Sequence, residues 1–474
     1  MQSRDPYPLR QEAASWLRDD RHGFALAALM WVLIALMIVP EGLDYGALTS
    51  VGPPASGGAT SRILWLALLA SSALIIVWRG GLAWLLLRTV NPFLLVFVAL
   101  AVASIGWSID PGLSARRLVR LITIVLACLA FVLIAWHARR FQNVVRPALS
   151  LVLLGSIVFG LVFPEFAIHR QTASELAGAW RGLANHKNGL GALACLSLIF
   201  WCHAWLGREV GLLPALAGGA IAATCLMLSR SSTSLAASIF VLVFLVVALR
   251  APRALARYVP LMVVLMVGTI LLYALAILGL IPGSGTLMAP ITALTSKDNS
   301  FTGRTEIWAI LSDHIALRPL FGTGYAAYWT AGPVAGTESY EFVRRMGSFY
   351  PGSAHNGYLE IVNDLGWAGL VCLFAYAVSH VRQSLQLFAV DRSQATLYLA
   401  VFFQQAITNL SETHWFGVQS VDFVLMTLTT TALARSVLEH RLHAAYGQPV
   451  VALAVMPPFL SDPTALHASR AAMP

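Results

Sequence analysis

Charge is scarce in this sequence. Only 11% of its 474 residues are Asp, Glu, Lys or Arg, against 58% of hydrophobic types, and the mean hydropathy is +0.73. A soluble globular chain carries about 25% charged residues. Too few are present here to cover the water-facing surface of a protein this size, which excludes a soluble enzyme. Cysteine is sparse as well: Cys128, Cys195, Cys202, Cys225 and Cys372 all sit in apolar runs, and no CxxC pair occurs. An odd number so placed reads as small buried hydrophobes and gives neither a disulfide framework nor a zinc site. The 22 Pro and 36 Gly are scattered without a period, which excludes collagen and disorder. No internal repeat or low-complexity tract is present. No basic run is interleaved with aromatics, so nucleic acid is not a partner. What remains is an all-α polytopic integral membrane protein.

A spanning helix needs about 20 apolar residues. Apolar runs between polar breaks predict twelve of them, near 24–40, 61–78, 91–107, 117–136, 147–164, 189–206, 211–229, 233–249, 258–281, 357–379, 394–410 and 415–434. Pro40 and Glu41 follow the first run, where a cleavage site would need small residues, so that run reads as a retained helix rather than a signal peptide. With the N-terminus inside, 18 of the 31 Lys and Arg but 8 of the 22 acids face the cytoplasm. The formal charge of +9 is therefore a topology signal. The chain divides into a cytoplasmic segment 1–23, helices 1–9 over 24–281, an outer loop 282–356, helices 10–12 over 357–436 and a loose, disordered cytoplasmic tail 437–474. A second long outer loop covers about 165–188. Within the larger loop, TGRTEIWAILSDHIAL (302–317) predicts an amphipathic helix. Thr302 can cap it, Ile307, Trp308, Ile310, Leu311 and Ile315 can lie on the membrane or the bundle, and Pro319 ends it.

Thirteen basic residues remain outside, and they gather at helix ends. Arg116, Arg117 and Arg120 open helix 4 after WSIDPGLS. Arg181, His186 and Lys187 stand in WRGLANHKNGLG before helix 6. Arg230 lies in SRSSTS between helices 7 and 8, Arg304 in TGRTEIW, His355 in AHNGYLE, and Glu412 in NLSETHW. Cations at the outer edge of a bilayer suit a lipid-linked substrate whose diphosphate lies at the interface, because the planar Arg fork holds phosphate oxygens well. Blander readings stand beside this one. Arg116, Arg117 and Arg120 can snorkel to lipid headgroups. Arg230 and Lys187 can be solvated turn residues. Trp107, Trp180, Trp329 and Trp415 read mostly as an interface belt. Arg304 is less easily dismissed, since a cation in the first turn of a helix opposes the helix dipole unless an anion sits beside it.

His355 is the best single candidate. It precedes a helix that Asn356 or Ser353 can cap, and a neutral imidazole there can take a proton from a sugar hydroxyl; a structural histidine at a cap also fits. Glu360 can orient a partner, and Glu412 can accept from a sugar hydroxyl or pair with an arginine. No HExxH and no paired acidic motif occurs, so no metal or other cofactor is expected. A transporter or flippase, the alternative from another class, predicts paired halves and ionisable groups deep in several helices. Here only Asp422 and the Gln404–Gln405 pair suggest polarity at mid-membrane.

The motifs SRSSTS, TGRTEIW, FGTGYAAYW and SAHNGYLEIVNDLGWAGL resemble the O-antigen ligase/polymerase superfamily of bacterial membrane glycosyltransferases. WSIDPGLSARR, WRGLANHKNGLG and NLSET are more similar to its exopolysaccharide-polymerase branch, of the ExoQ kind, and the likeness spans roughly residues 100–435. The resemblance implies about twelve helices of the GT-C type, a large periplasmic loop between helices 9 and 10, and chemistry without metal or nucleotide sugar. It also implies a donor glycan on undecaprenyl diphosphate, an inner-membrane location and a periplasmic site. Carried over by motif, Arg230 and Arg304 match the arginines that hold the diphosphate, and His355 the histidine that activates the acceptor hydroxyl. Arg116, Arg117, Arg181, His186, Lys187, Glu360 and Glu412 are further candidate substrate contacts. The expected activity is polysaccharide polymerisation onto another lipid-linked repeat unit, with ligation to lipid A-core as the alternative. A flippase and a chain-length regulator are the expected partner proteins.

Overall fold

A computed structural model of the chain describes residues 30–35, 59–133, 140–170, 176–279, 281, 300–330, 336–345, 350–418 and 420–446. Among these every regular element is helical, and extended backbone pairs in one place, an antiparallel bridge between Ile168 and Trp180. The long elements are α1 (Ala59–Trp78), α2 (Gly80–Leu87), α3 (Pro92–Ala103, continued by a 3-10 turn Ser104–Trp107), α4 (Pro111–Leu133), α5 (Arg140–Val162), α6 (Lys187–Leu206), α7 (Leu212–Ser229), α8 (Ser232–Arg250), α9 (Val259–Ile277), α10 (Ser300–Leu317), α11 (Glu338–Arg345), α12 (Gly357–Phe388), α13 (Arg392–Thr408) and α14 (Val421–Tyr446).

Eight described helices are long and apolar enough to cross a membrane, or nine if α2 and α3, bent by 98°, count as one broken span. The protein is a multi-pass membrane protein. Of the other expected spans, residues 24–40 lie mostly outside the described residues, as do segment 1–23 and the tail beyond 446. The remaining two are α4, which carries three arginines in its first half, and α13, which carries buried Gln394, Gln404 and Gln405. α13 packs against α6, α8, α12 and α14. Enclosed on so many sides it needs little lipid-facing apolar surface, which is why its glutamines are tolerated; Gln404 donates to Asp422 at 2.6 Å.

Several expectations are corrected. α4 starts at Pro111, so Arg116, Arg117 and Arg120 lie inside the helix rather than at its mouth. α10 starts at Ser300, so Thr302 lies within its first turn instead of capping it. Its apolar residues Ile307, Trp308, Leu311 and Ile315 are buried, and the helix packs on α12. α14 continues to Tyr446, so the first ten residues of the expected loose tail are helical. Arg435, one residue beyond the expected last span and so expected at the cytoplasmic edge, is fully buried, donating to the Val132 carbonyl at 3.0 Å and to Glu439 at 2.8 Å. His203 and His380 are buried too, so the interior is more polar than Asp422 and the two glutamines suggested. Trp329 and Trp415 are core residues, not interface belt.

One local break positions the site. α12 is interrupted at Gly366, whose φ of 64° and ψ of −162° lie outside the helical region. The interruption frees the carbonyls of Asn363 and Asp364 and the amides of Trp367 and Ala368. The segment from Pro319 to Gly324 satisfies all four: Thr323 N bonds Asn363 O at 2.9 Å, Gly324 N bonds Asp364 O at 2.9 Å, and the amides of Trp367 and Ala368 bond the carbonyls of Pro319 and Leu320. Non-helical backbone is tolerated at such depth only when protein pairs it. Gly366 is required there twice over, by its positive φ and because a Cβ would lie 2.3 Å from the Leu320 backbone. The GTGY loop that follows is held by Arg117, whose guanidinium donates to the carbonyls of Ala326 and Trp329, and by Asp364, which accepts from Ala326 N at 2.9 Å.

Candidate functional site

Four segments far apart in the chain meet at one end of the bundle: the start of α6, the first turns of α10, the turn before α12 and the α13–α14 loop. Glu412 joins them. Its Oε1 accepts from Arg304 Nη2 at 2.8 Å and from Asn188 Nδ2 at 2.6 Å. Its Oε2 lies 3.6 Å from His355 Nδ1, an ion-pair separation slightly longer than a hydrogen bond. With α10 starting at Ser300, Arg304 lies just past the first turn, and the anion beside it is Glu412. Burial pushes the Glu412 carboxyl up, but the neighbouring His355 imidazole and the charge of Arg304 outweigh it and hold the group at about 2. It is a carboxylate throughout the working pH range.

His355 is clamped by its backbone. The residue before it, Ala354, donates its N–H to Glu360 Oε2 at 2.7 Å and accepts from Trp308 Nε1 at 3.0 Å. The residue after it, Asn356, caps α12 by accepting from the amides of Tyr358 and Leu359, and its Nδ2 donates to the Leu410 carbonyl. Gly357 N bonds Asn409 O at 2.9 Å, and a Cβ on Gly357 would overlap the Asn409 side chain, so this step of the HNG motif admits no larger residue. His355 itself is held at φ 47°, a left-handed conformation that costs a non-glycine residue free energy and persists where surroundings enforce it. Its Nδ1 is buried while the side chain keeps 27% of its surface exposed, so the exposure belongs to the rest of the ring.

Two more imidazoles close the α6 side. His186 is the N-cap of α6, its Nδ1 accepting from Asn188 N at 3.3 Å; His169 Nε2 accepts from Lys187 N at 3.3 Å; and the two rings stand 5.2 Å apart. Burial lowers both to about 4, aided at His186 by His355, Lys187 and Arg304 against the opposing pull of Glu412, and at His169 by His186, Arg181 and Lys187. Both are therefore neutral at pH 7. An unfolded histidine protonates near 6.5, so between 6.5 and 4 the unfolded chain binds more protons and stability falls as pH falls. Acidification from pH 7 to 4.5 is expected to lower the thermal unfolding midpoint of the purified protein. His186→Asn, which keeps a capping side chain but cannot titrate there, should show a shallower decline over that interval.

The other candidates sit as follows. Arg230 is the exposed C-cap of α7 at φ 50°, and its Nη1 donates to the Ala177 carbonyl at 3.0 Å. It shares the rim with the Glu412 cluster through Thr233, whose Oγ1 accepts from Ser411 Oγ at 2.8 Å, but its guanidinium turns toward the 176–180 loop rather than toward Arg304. Arg181 is buried, donating to the Phe166 carbonyl at 2.6 Å. Arg116 is exposed on α4, Lys187 is half-buried, and Glu360 is buried beneath the His355 turn. Asn188, His169 and Asn409 were not singled out from the sequence. Asn188 and Asn409 lie inside the HKNG and NLSET motifs, and that is the signal that could have found them. Among the described residues no group of three His, Cys, Asp or Glu side chains is placed to hold a metal ion.

One turn from the Thr233–Ser411 contact, an open apolar cleft of about 680 Å³ begins between α8, α9 and α13, lined by Ala236, Phe240, Leu261, Leu265, Ile270 and Ile407 among others. A polar, cationic end and an apolar trough thus lie next to each other. Residues 217–374, which include Arg230, Arg304, His355 and Glu360, match the family model described as O-antigen ligase. Over 323 residues the chain is 28% identical to the exopolysaccharide production protein ExoQ of Rhizobium meliloti, covering 65% of this chain and 68% of that protein.

Proposed function

From its resemblance to the O-antigen ligase/polymerase superfamily, and within it to the ExoQ branch, we propose that this chain is a polysaccharide polymerase of the bacterial inner membrane, a GT-C-type glycosyltransferase with twelve spans. It transfers an undecaprenyl-diphosphate-linked glycan to a hydroxyl of another lipid-linked repeat unit at the periplasmic face. The observation that carries this reading is the meeting of Arg304 and His355 on one carboxylate beside an apolar cleft. The cleft takes the isoprenoid chain, and Arg304, with Arg230 along the rim, takes the diphosphate. The acceptor oxygen attacks the anomeric carbon of the donor while its proton passes to the free ring nitrogen of His355. The bond from that carbon to the diphosphate oxygen breaks, and its electron pair leaves with undecaprenyl diphosphate. Charge held in place before the reaction commonly contributes several kcal/mol at such a step. A flippase supplies the donor, and a chain-length regulator limits the product.

Reconstitution of the purified protein in liposomes with lipid-linked repeat units alone tests this. A ladder of glycan lengths is the expected product. Reaction only after lipid A-core is added would make the protein a ligase, and redistribution of lipid-linked repeats across the bilayer with no new glycosidic bond would make it a flippase.

A further inference from the structure

We infer that Glu412 is a positioning residue that fixes the His355 imidazole in the form able to take the acceptor proton, while holding Arg304 in the same frame. This rests on the reading of His355 as the base. The carboxylate divides its labour by atom. Oε1 receives Arg304 at 2.8 Å and Asn188 at 2.6 Å; Oε2 faces only the imidazole among these three, at 3.6 Å from Nδ1. An acceptor-only group opposite Nδ1 favours the tautomer that carries hydrogen there, leaving the lone pair on Nε2. Nδ1 is buried with no hydrogen-bond partner, so when the ring tilts to receive a hydroxyl the group within reach of that N–H is Glu412. Once Nε2 has the proton, the imidazolium stands beside a carboxylate that stays ionised, and the proton then leaves to solvent. A buried carboxylate behind the base of a hydrolase works by the same two effects, tautomer selection and stabilisation of the cation. The groups facing His355 are Glu412 from the α13–α14 loop, His186 at the start of α6 and Glu360 on the helix that follows it, with Arg304 on α10 reaching the cluster through Glu412. Of these Glu412 is the one at ion-pair distance from the ring.

The isosteric change Glu412→Gln separates the two duties. The amide oxygen still accepts from Arg304 and Asn188, whereas the amide nitrogen in place of Oε2 presents a donor to Nδ1 and selects the unproductive tautomer. Turnover is measured in liposomes with lipid-linked repeats extracted from producing cells, across pH, for wild type, Glu412→Gln, His355→Asn and the double variant. Expected for Glu412→Gln are a fall in kcat of at least tenfold, a change in donor KM below threefold, and an acid limb of kcat/KM displaced to lower pH; in the His355→Asn background it should cost nothing further. Unchanged kcat, a rise in KM alone, an acid limb that stays in place, or full additivity with His355→Asn would each overturn the role of Glu412. A His355→Asn protein as active as wild type would instead overturn the assignment of His355 beneath it.

Discussion

His355→Ala is expected to lower the rate of polymer formation by about 10²- to 10⁴-fold, the usual contribution of a positioned general base, while the protein still inserts and purifies as wild type does. The fold survives because what holds the 353–357 turn is backbone: the Ala354 amide on Glu360, the Ala354 carbonyl on Trp308 and the Gly357 amide on Asn409. The imidazole contributes a half-exposed ring and one charge contact to Glu412. Since the position is left-handed at φ 47°, alanine brings some strain of its own. Asn tolerates that conformation better and supplies no base, so His355→Asn should be equally inactive with a higher unfolding temperature than the alanine variant. Either variant making polymer at near wild-type rate would remove His355 from the chemistry.

The second large effect is expected at Arg304. Arg304→Ala should reduce kcat by about 10²- to 10³-fold, the range seen when one preorganised donor to a developing anion is lost, and should weaken capture of the lipid-linked donor as well. Arg304→Lys should recover only part of this, because an ammonium cannot hold the Glu412 carboxylate and a phosphate oxygen with one planar fork. Turnover of each variant over a range of lipid-linked donor concentrations distinguishes the outcomes: a rate restored by Lys would mean that charge alone suffices at this position. The alanine variant also leaves Glu412 without its cation on Oε1, so a modest loss of stability should accompany the loss of rate.

Much of the helical architecture was legible because burial in lipid writes itself into the chain as long apolar runs, which no fine balance of contacts can erase. The runs near 189–206, 211–229 and 233–249 differ from α6, α7 and α8 by at most two residues at either end. Where the chain departs from that rule the sequence misleads. PGLS looks like a loop before helix 4, yet it is the helix's first turn, and two loop carbonyls more than 200 residues away receive Arg117. Arg435 looks like a cytoplasmic charge, and its partners are a carbonyl on α4 and Glu439 one turn on. Arg304 and His355 stood out for a local reason, a cation and an imidazole where a helix begins. Glu412 stood out too, as a group able to pair with an arginine, but not as their common partner, because nothing near NLSET says that it lies against residues 108 and 224 positions earlier. Asn188 was hidden for another reason: beside Lys187 the charged neighbour draws attention, although it is the neutral amide that touches the carboxylate.

Glu412 is the last of the four converging groups to leave the ribosome. Until α13 and the loop after it have been made and threaded, Arg304, Asn188 and His355 have no common anchor, and the turn before α12 lacks the Asn409 carbonyl that receives Gly357. A nascent chain already docked in the bilayer therefore lacks this arrangement, and it acquires the four-way contact only when the final hairpin completes the assembly.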